Sequence, residues 1–153
     1  QTDGGDNNVA VGHFTLSANT TGDNGVAVGY YALNANTTGG SNVAVGNQSA
    51  QSTTTGTGNT SVGYNSLHSN TTGGTNSAIG HGSLYTNSTG AGNTAIGYQS
   101  LYYNTTANYS VAIGENSLLQ NTTGFGNTSS LSLRIPQIEL LNIFRASSMI
   151  NCF

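Results

Sequence analysis

Three histidines are the residues of this chain best suited to bind a metal ion, and their spacing argues against a metal site. His13 and His81 lie four 17-residue repeats apart in the sequence. Stacked as strands, they would be roughly 19 Å apart, whereas the ligands of one metal ion each lie about 2 Å from it. His68 has no neighbouring His or Cys. We therefore predict surface histidines, no metal site and no cofactor.

Catalytic motifs are also absent from the sequence. It contains no Gly-x-Ser-x-Gly nucleophile elbow, no paired carboxylates and no phosphate-binding loop, and its frequent glycines are typical of turns. We expect no catalytic residues and a chain that is not an enzyme.

Tyrosines are the best candidates for ligand contacts. Tyr30, Tyr64 and Tyr98 share one phase of the repeat, and Tyr102 lies close by in sequence. Aromatic rings along a polar rod can stack on sugars or pack against a partner. We predict that these four residues belong to a ligand or partner face, and packing against an adjacent coil is the commoner explanation.

Asparagines followed by Thr-Thr or Ser-Thr satisfy the N-glycosylation pattern. They are Asn19, Asn36, Asn70, Asn87, Asn104 and Asn121. Asparagines stacked in register can instead form hydrogen-bonded ladders, and we favour this structural role. Inward-pointing side chains would leave no site for a sugar.

Threonine columns supply a second functional hypothesis, ice binding through a regular uncharged array. The candidate face is Thr21, Thr38, Thr55, Thr72, Thr89, Thr106 and Thr123. The residue before each of these is Thr or Ser, but neighbours on a strand point to opposite sides. An outward pair is therefore expected to be Asn-x-Thr.

These side chains must be positioned by a strict 17-residue repeat. Its markers are seven glycines, each closing a short apolar triplet: Gly12, Gly29, Gly46, Gly63, Gly80, Gly97 and Gly114. A repeat this short and this rich in Gly and Thr cannot supply two helices. We predict an all-β fold, a β-solenoid (parallel β-roll) of seven 17-residue coils.

Each coil is predicted to contain two short strands, each with one bulky and one small column. In the first strand, alternation places the Val/Ile before the glycine opposite the preceding Ala. We expect Val/Ile to fill the core and Ala to face a neighbouring coil. The second bulky column is mostly Leu, from Leu16 to Leu118. Glycine at the corner after Asn-Thr-Thr is expected to supply a positive φ.

So few large apolar side chains per coil give little hydrophobic stabilisation. Full burial of a Val, Ile or Leu contributes about 1.5–3 kcal/mol, and Cys152 is alone, so no internal disulfide can form. We infer a homo-oligomer, with the small Ala/Ser column as the contact.

The low content of charged residues argues against several classes of partner. Only 5% of residues are charged, and the basic residues, Arg134 and Arg145, lie outside the repeats. Such a chain cannot neutralise nucleic-acid phosphates or anionic membrane surfaces. No apolar run approaches the ~20 residues of a membrane span. The composition favours an extracellular, cell-surface or virion-fibre location.

The repeats resemble a known family. Asn93-Thr-Ala-Ile-Gly-Tyr-Gln-Ser-Leu-Tyr102 and Ser110-Val-Ala-Ile-Gly-Glu-Asn-Ser-Leu118 are similar to the head repeats of trimeric autotransporter adhesins and to repeat arrays of bacterial, phage or viral tail-fibre-like proteins. The resemblance spans about Asn8 to Gly126. It implies a trimeric left-handed β-roll that displays or spaces a binding surface, and hence a structural or adhesive fibre that attaches to glycans or cell surfaces.

The repeat domain is predicted over residues 1–126, and residues 127–153 form a non-repeat segment. Pro136 precedes the apolar stretch up to Arg145, and proline is favourable at a helix start. A short capping helix and a divergent tail are both open interpretations.

Overall fold

The computed structural model describes residues 5–130, and they form a β-solenoid with one strand in each coil. The eight strands are β1 Val9–Val11, β2 Val26–Val28, β3 Val43–Val45, β4 Thr60–Val62, β5 Ser77–Ile79, β6 Thr94–Ile96, β7 Val111–Ile113 and β8 Thr128–Ser129. All neighbours pair in parallel and in sequence order. Each residue pairs with the one 17 positions later, as Val26 does with Val43. The predicted fold class is confirmed.

We number the positions of each coil from 1, starting at Asn8, so that the repeated glycine is position 5. Strands occupy positions 2 to 4, and β8 continues the sheet past Gly126. The proposed capping helix lies outside the described residues.

The core contradicts the predicted orientation of the strands. Ala27, Ala44, Ala78, Ala95 and Ala112 at position 3 are fully buried. The Val/Ile column at position 4 points outward and is partly or largely exposed. The coil interior is narrow, because buried Leu side chains at position 9 and Asn side chains at positions 1 and 12 already occupy it. Only a methyl or hydroxymethyl group fits at position 3.

The Leu column is buried as predicted, but it does not lie on a second strand. Leu33, Leu67, Leu84 and Leu101 adopt φ between 48° and 51°, a left-handed conformation that no strand contains. Position 7 is also left-handed, as at Tyr31. Hydrogen bonds between coils persist here, from Leu67 N–H to Ser83 O for example. The prediction of two strands per coil is wrong.

Corner glycines at position 15 have a role different from the predicted one. Gly73 and Gly90 do not have a positive φ. A Cβ on Gly73 would collide with the Gly90 carbonyl oxygen of the next coil. Glycine is therefore favoured here by the close stacking of coils, not by the bend, and Ala107 is the one residue of this column that carries a side chain.

Candidate functional site

The outward side of the parallel sheet is an apolar surface along the rod. We call it the sheet face; it consists of positions 2 and 4 of each coil. Its position-4 residues are Val11, Val28, Val45, Val62, Ile79, Ile96 and Ile113. Five of these are 36–56% exposed, an unusual exposure for large aliphatic side chains that repeat in register. Position 2 adds Val or small hydroxyl residues such as Thr60, Ser77 and Thr94, so the face carries no charge.

Sequence reasoning missed this surface. The signal was present, because position 4 is β-branched in every coil, but a β-branched residue satisfies strand propensity whether it points inward or outward. Size alone predicts that alanine, the smaller neighbour, faces outward, and this prediction is wrong. What decides the direction is the width of the coil interior.

The outer threonine column, position 14, is exposed in all seven coils, from Thr21 to Thr123. In the preceding column, position 13, the hydroxyls are used within the rod. Thr37, Thr54 and Thr71 donate them to carbonyl oxygens of the next coil at 3.0–3.1 Å. Asparagine at position 12 is buried. The expected outward Asn-x-Thr pair is therefore wrong, and the exposed threonines form a single file.

The asparagines form the predicted ladders. At position 12, the Asn87 side-chain amide donates to Asn70 Oδ1 at 3.0 Å and to the Gly90 carbonyl at 2.9 Å. At position 1, Asn76 donates to Asn59 Oδ1 at 3.2 Å. The amide nitrogen to which a glycan would be attached is thus buried with both hydrogens donated. The folded coils do not present Asn36, Asn70, Asn87 and Asn104 as sugar acceptors; Asn19 and Asn121 make the same corner bond.

Position 6 places aromatic rings beside the sheet face, directly after the glycine. Tyr30, Tyr64 and Tyr98 are 46%, 48% and 46% exposed. His81 lies between two of them, with ring centroids 5.0 Å from Tyr64 and 5.2 Å from Tyr98 and interplanar angles of 78° and 74°. The predicted tyrosine stripe is therefore on the surface, and His81 links the rings of Tyr64 and Tyr98.

Position 10 carries a second aromatic row, which the sequence indicated only through Tyr102. His68 stacks on Tyr85 at 5.0 Å and 17°, and Tyr85 stacks on Tyr102 at 4.9 Å and 9°. The Tyr102 ring also lies against Gly82 of the preceding coil. Burial, together with nearby Tyr85, Tyr103 and Tyr98, raises the pKa of the Tyr102 hydroxyl. Tyr98 of the position-6 row is thus among the groups that influence Tyr102.

The histidines pack against tyrosine rings of adjacent coils. His13 stacks on Tyr30 at 5.8 Å and 14°, and partial burial lowers the pKa of His68. Within residues 5–130, no three His, Cys, Asp or Glu side chains lie close enough together to hold a metal ion. The same residues enclose no pocket.

Residues 5–130 contain no helix long and apolar enough to cross a membrane. Comparison of the chain with protein-family models, with curated proteins and with solved structures found no match.

Proposed function

We propose that this chain is a structural or adhesive segment of an extracellular fibre, and that copies of it associate through the sheet face. The observation that carries the proposal is the exposed Val/Ile column. It repeats once per coil along the whole described rod, without a charged residue among positions 2 and 4. Continuous exposed apolar surface of this kind marks an interaction site.

A second copy of the chain is the occupant that this face fits best. The described rod repeats at about 4.8 Å per coil, so a copy presents aliphatic ridges at the same interval along its axis. Each coil buries mainly one Leu and one Ala among polar side chains, and association would bury the Val and Ile that folding alone leaves in water. The resemblance to adhesin head repeats favours three copies. The predicted contact through the Ala column is replaced by this one, because those alanines are interior.

Light scattering combined with size-exclusion chromatography tests the assembly. We expect the chain to have the mass of a trimer. Ile79→Glu with Ile96→Glu should give a monomer with an unchanged far-ultraviolet circular dichroism spectrum, because both side chains point into solvent. A matched control, Thr72→Glu with Thr89→Glu, places the same charges on the outer threonine column and should leave the mass unchanged. A monomeric unmodified chain would overturn the proposal.

The role of such a rod would be to space or display attachment surfaces. Polar outer columns with few charges, together with exposed tyrosines, suit contacts with glycans or a cell surface better than contacts with charged polymers. This supports placement outside the cell, on a cell surface or in a virion fibre.

Ice binding is the second candidate function. One observation favours it: the outer threonine column is exposed in every coil without a gap. A single file of threonines is narrower than the two-column array expected from the sequence. Measurable thermal hysteresis by a monomeric chain, abolished by Thr55→Tyr with Thr72→Tyr but not by Ile79→Glu, would establish this candidate over the fibre.

A further inference from the structure

Position 6 of the coil alternates strictly between two kinds of residue. Tyrosine occupies every second coil, at Tyr30, Tyr64 and Tyr98. The intervening coils carry polar, hydrogen-bonding side chains: His13, Asn47, His81 and Glu115. The stripe therefore has a period of two coils, twice that of the fold. The strand and the glycine at position 5 repeat once per coil, whereas position 17 also has a two-coil period in the later coils, with glycine at Gly58, Gly92 and Gly126.

The two-coil period determines the distance between successive tyrosines of position 6. Coils stack at about 4.8 Å, so successive position-6 tyrosines are roughly 9.6 Å apart along the rod. This is close to the length of one disaccharide in an extended β-1,4-linked polysaccharide. In such a chain each sugar is turned over relative to the last, so every second sugar presents the same face.

The rings of Tyr64 and Tyr98 are available for stacking. Each is nearly half exposed, and their common neighbour His81 meets both at a steep angle rather than lying flat on either. The position-10 row differs, because Tyr85 lies flat against both His68 and Tyr102. Stacked rings cover one another's faces, so the position-10 row is a poorer platform for sugars than Tyr64 and Tyr98.

Charge narrows the class of glycan. Residues 5–130 contain no Lys or Arg, so this surface has no cation with which to pair an acidic sugar. The groups available are tyrosine faces for the apolar face of a sugar ring, and tyrosine hydroxyls and the imidazole of His81 for hydrogen bonds. A neutral glycan matches this set.

We propose that Tyr64, His81 and Tyr98 form a binding site for an extended, neutral β-1,4-linked polysaccharide. Sugars two apart in the glycan stack on Tyr64 and Tyr98, and His81 hydrogen-bonds the sugar between them. Tyr30 extends the same line by two coils. The inference rests on the attachment role proposed above and specifies its ligand.

Titration with defined oligosaccharides, followed by the ring signals of the tyrosines in NMR spectra, tests this site in the full chain. Cellohexaose is the probe. Maltohexaose, with the same number of glucose units but α-1,4 linkages that curve the chain, is the ligand control. We expect cellohexaose to bind and maltohexaose to bind at least about tenfold more weakly, and Tyr64→Ala or Tyr98→Ala to weaken cellohexaose binding about five- to tenfold each.

A spacing variant is the decisive control. The exchange is made in a Tyr30→Ala background, because Tyr30 and Tyr64 would otherwise keep the two-coil spacing. Exchanging His81 and Tyr98 there, as His81→Tyr with Tyr98→His, keeps the composition of the surface but brings the two remaining position-6 tyrosines one coil apart. Tyr30→Ala alone is the reference. We expect this variant to lose binding as the alanine variants do, while Tyr103→Ala, an exposed tyrosine outside the stripe, binds normally. Equal binding of both oligosaccharides, full binding by the exchange variant, or no binding of cellohexaose would each overturn the proposal.

Mass measurement on the same samples separates this inference from the proposed fibre. A trimer that does not bind cellohexaose overturns only the glycan site. A monomer that binds it with the expected spacing dependence overturns only the assembly through the sheet face.

Discussion

Thr53 occupies the position one coil after Asn36 in the interior amide ladder, and it leaves the Asn36 Oδ1 atom without a hydrogen-bond donor. Asn36 and Thr53 are both buried. Elsewhere in the ladder the asparagine one coil later donates to this oxygen, as Asn87 does to Asn70 at 3.0 Å, but Asn36 Oδ1 has no partner. Asn70 donates to the Thr53 hydroxyl at 3.4 Å in place of an asparagine oxygen, and it keeps its bond to the Gly73 carbonyl oxygen at 2.9 Å.

Thr53→Asn should therefore stabilise the rod. The new amide would donate to Asn36 Oδ1 and accept from Asn70, and asparagine is close to threonine in volume. We expect the free energy of unfolding to rise by about 1 kcal/mol, measured by urea denaturation. The reciprocal control, Asn87→Thr, opens an equivalent gap in the complete part of the ladder and should lower stability by about 1–3 kcal/mol. Loss of stability in Thr53→Asn would contradict this account.

Because adjacent strand residues point to opposite sides, substitutions at Ala95 and Ile96 should differ in their effect on the free energy of unfolding. Ala95 is packed in a cluster with Leu84 and Leu101, so Ala95→Val should overpack the interior and cost about 1–3 kcal/mol. Ile96 points outward, so Ile96→Ala should cost the isolated chain less than about 1 kcal/mol. Urea midpoints at two protein concentrations separate folding from association, which alone depends on concentration. The reverse ranking at low concentration would restore the orientation predicted from the sequence.

The sequence alone was sufficient to predict the repeat, the parallel solenoid, the Leu core and the asparagine ladders, because each depends on residues recurring in register. The side of the strand that faces inward could not be predicted, because alternation separates Ala95 from Ile96 without specifying the width of the interior. The absence of the second strand could not be predicted either, because leucine rarely adopts the positive φ that Leu84 and Leu101 have here. Here the surrounding coils impose that conformation.

The candidate site was predictable only in part. Tyr64 and Tyr98 were identified from their shared phase, and both are exposed. The stack of His68, Tyr85 and Tyr102 depends on ring orientations, which a sequence does not contain.

Glycines at two positions should differ in their tolerance of alanine. Gly80 has φ 127°, and a Cβ there would lie 2.5 Å from the Gly97 carbonyl oxygen. Both features oppose a side chain, and we expect Gly80→Ala to cost roughly 3 kcal/mol. Gly90 lacks the positive φ, but a Cβ there would collide with the Ala107 carbonyl oxygen and with Asn87 Oδ1. Its counterpart one coil later is Ala107, so the coils can shift to accept a methyl group at this position. Gly90→Ala, which lacks the backbone strain, should therefore cost less than Gly80→Ala, about 1–2 kcal/mol. Thermal or urea unfolding of both variants makes the comparison, and equal losses would contradict it.

Acidification should destabilise the coil that contains His68. Burial lowers the pKa of this imidazole below its ordinary value of 6.5; its ring stacks on Tyr85, and Nδ1 lies 3.3 Å from the Ser69 hydroxyl. As pH falls through 6.5, the unfolded chain takes up the proton before the folded chain does, so the free energy of unfolding decreases until the lowered folded-state pKa is passed. Both states are neutral at about pH 8, where this contribution vanishes. We expect His68→Gln, which cannot be protonated, to show a shallower fall in urea stability than the unmodified chain between about pH 7 and pH 5. Loss of the ring stack would shift the variant's stability at every pH, so the difference in slope, not the difference at pH 8, is the test. Identical slopes would show that His68 does not contribute to the pH dependence.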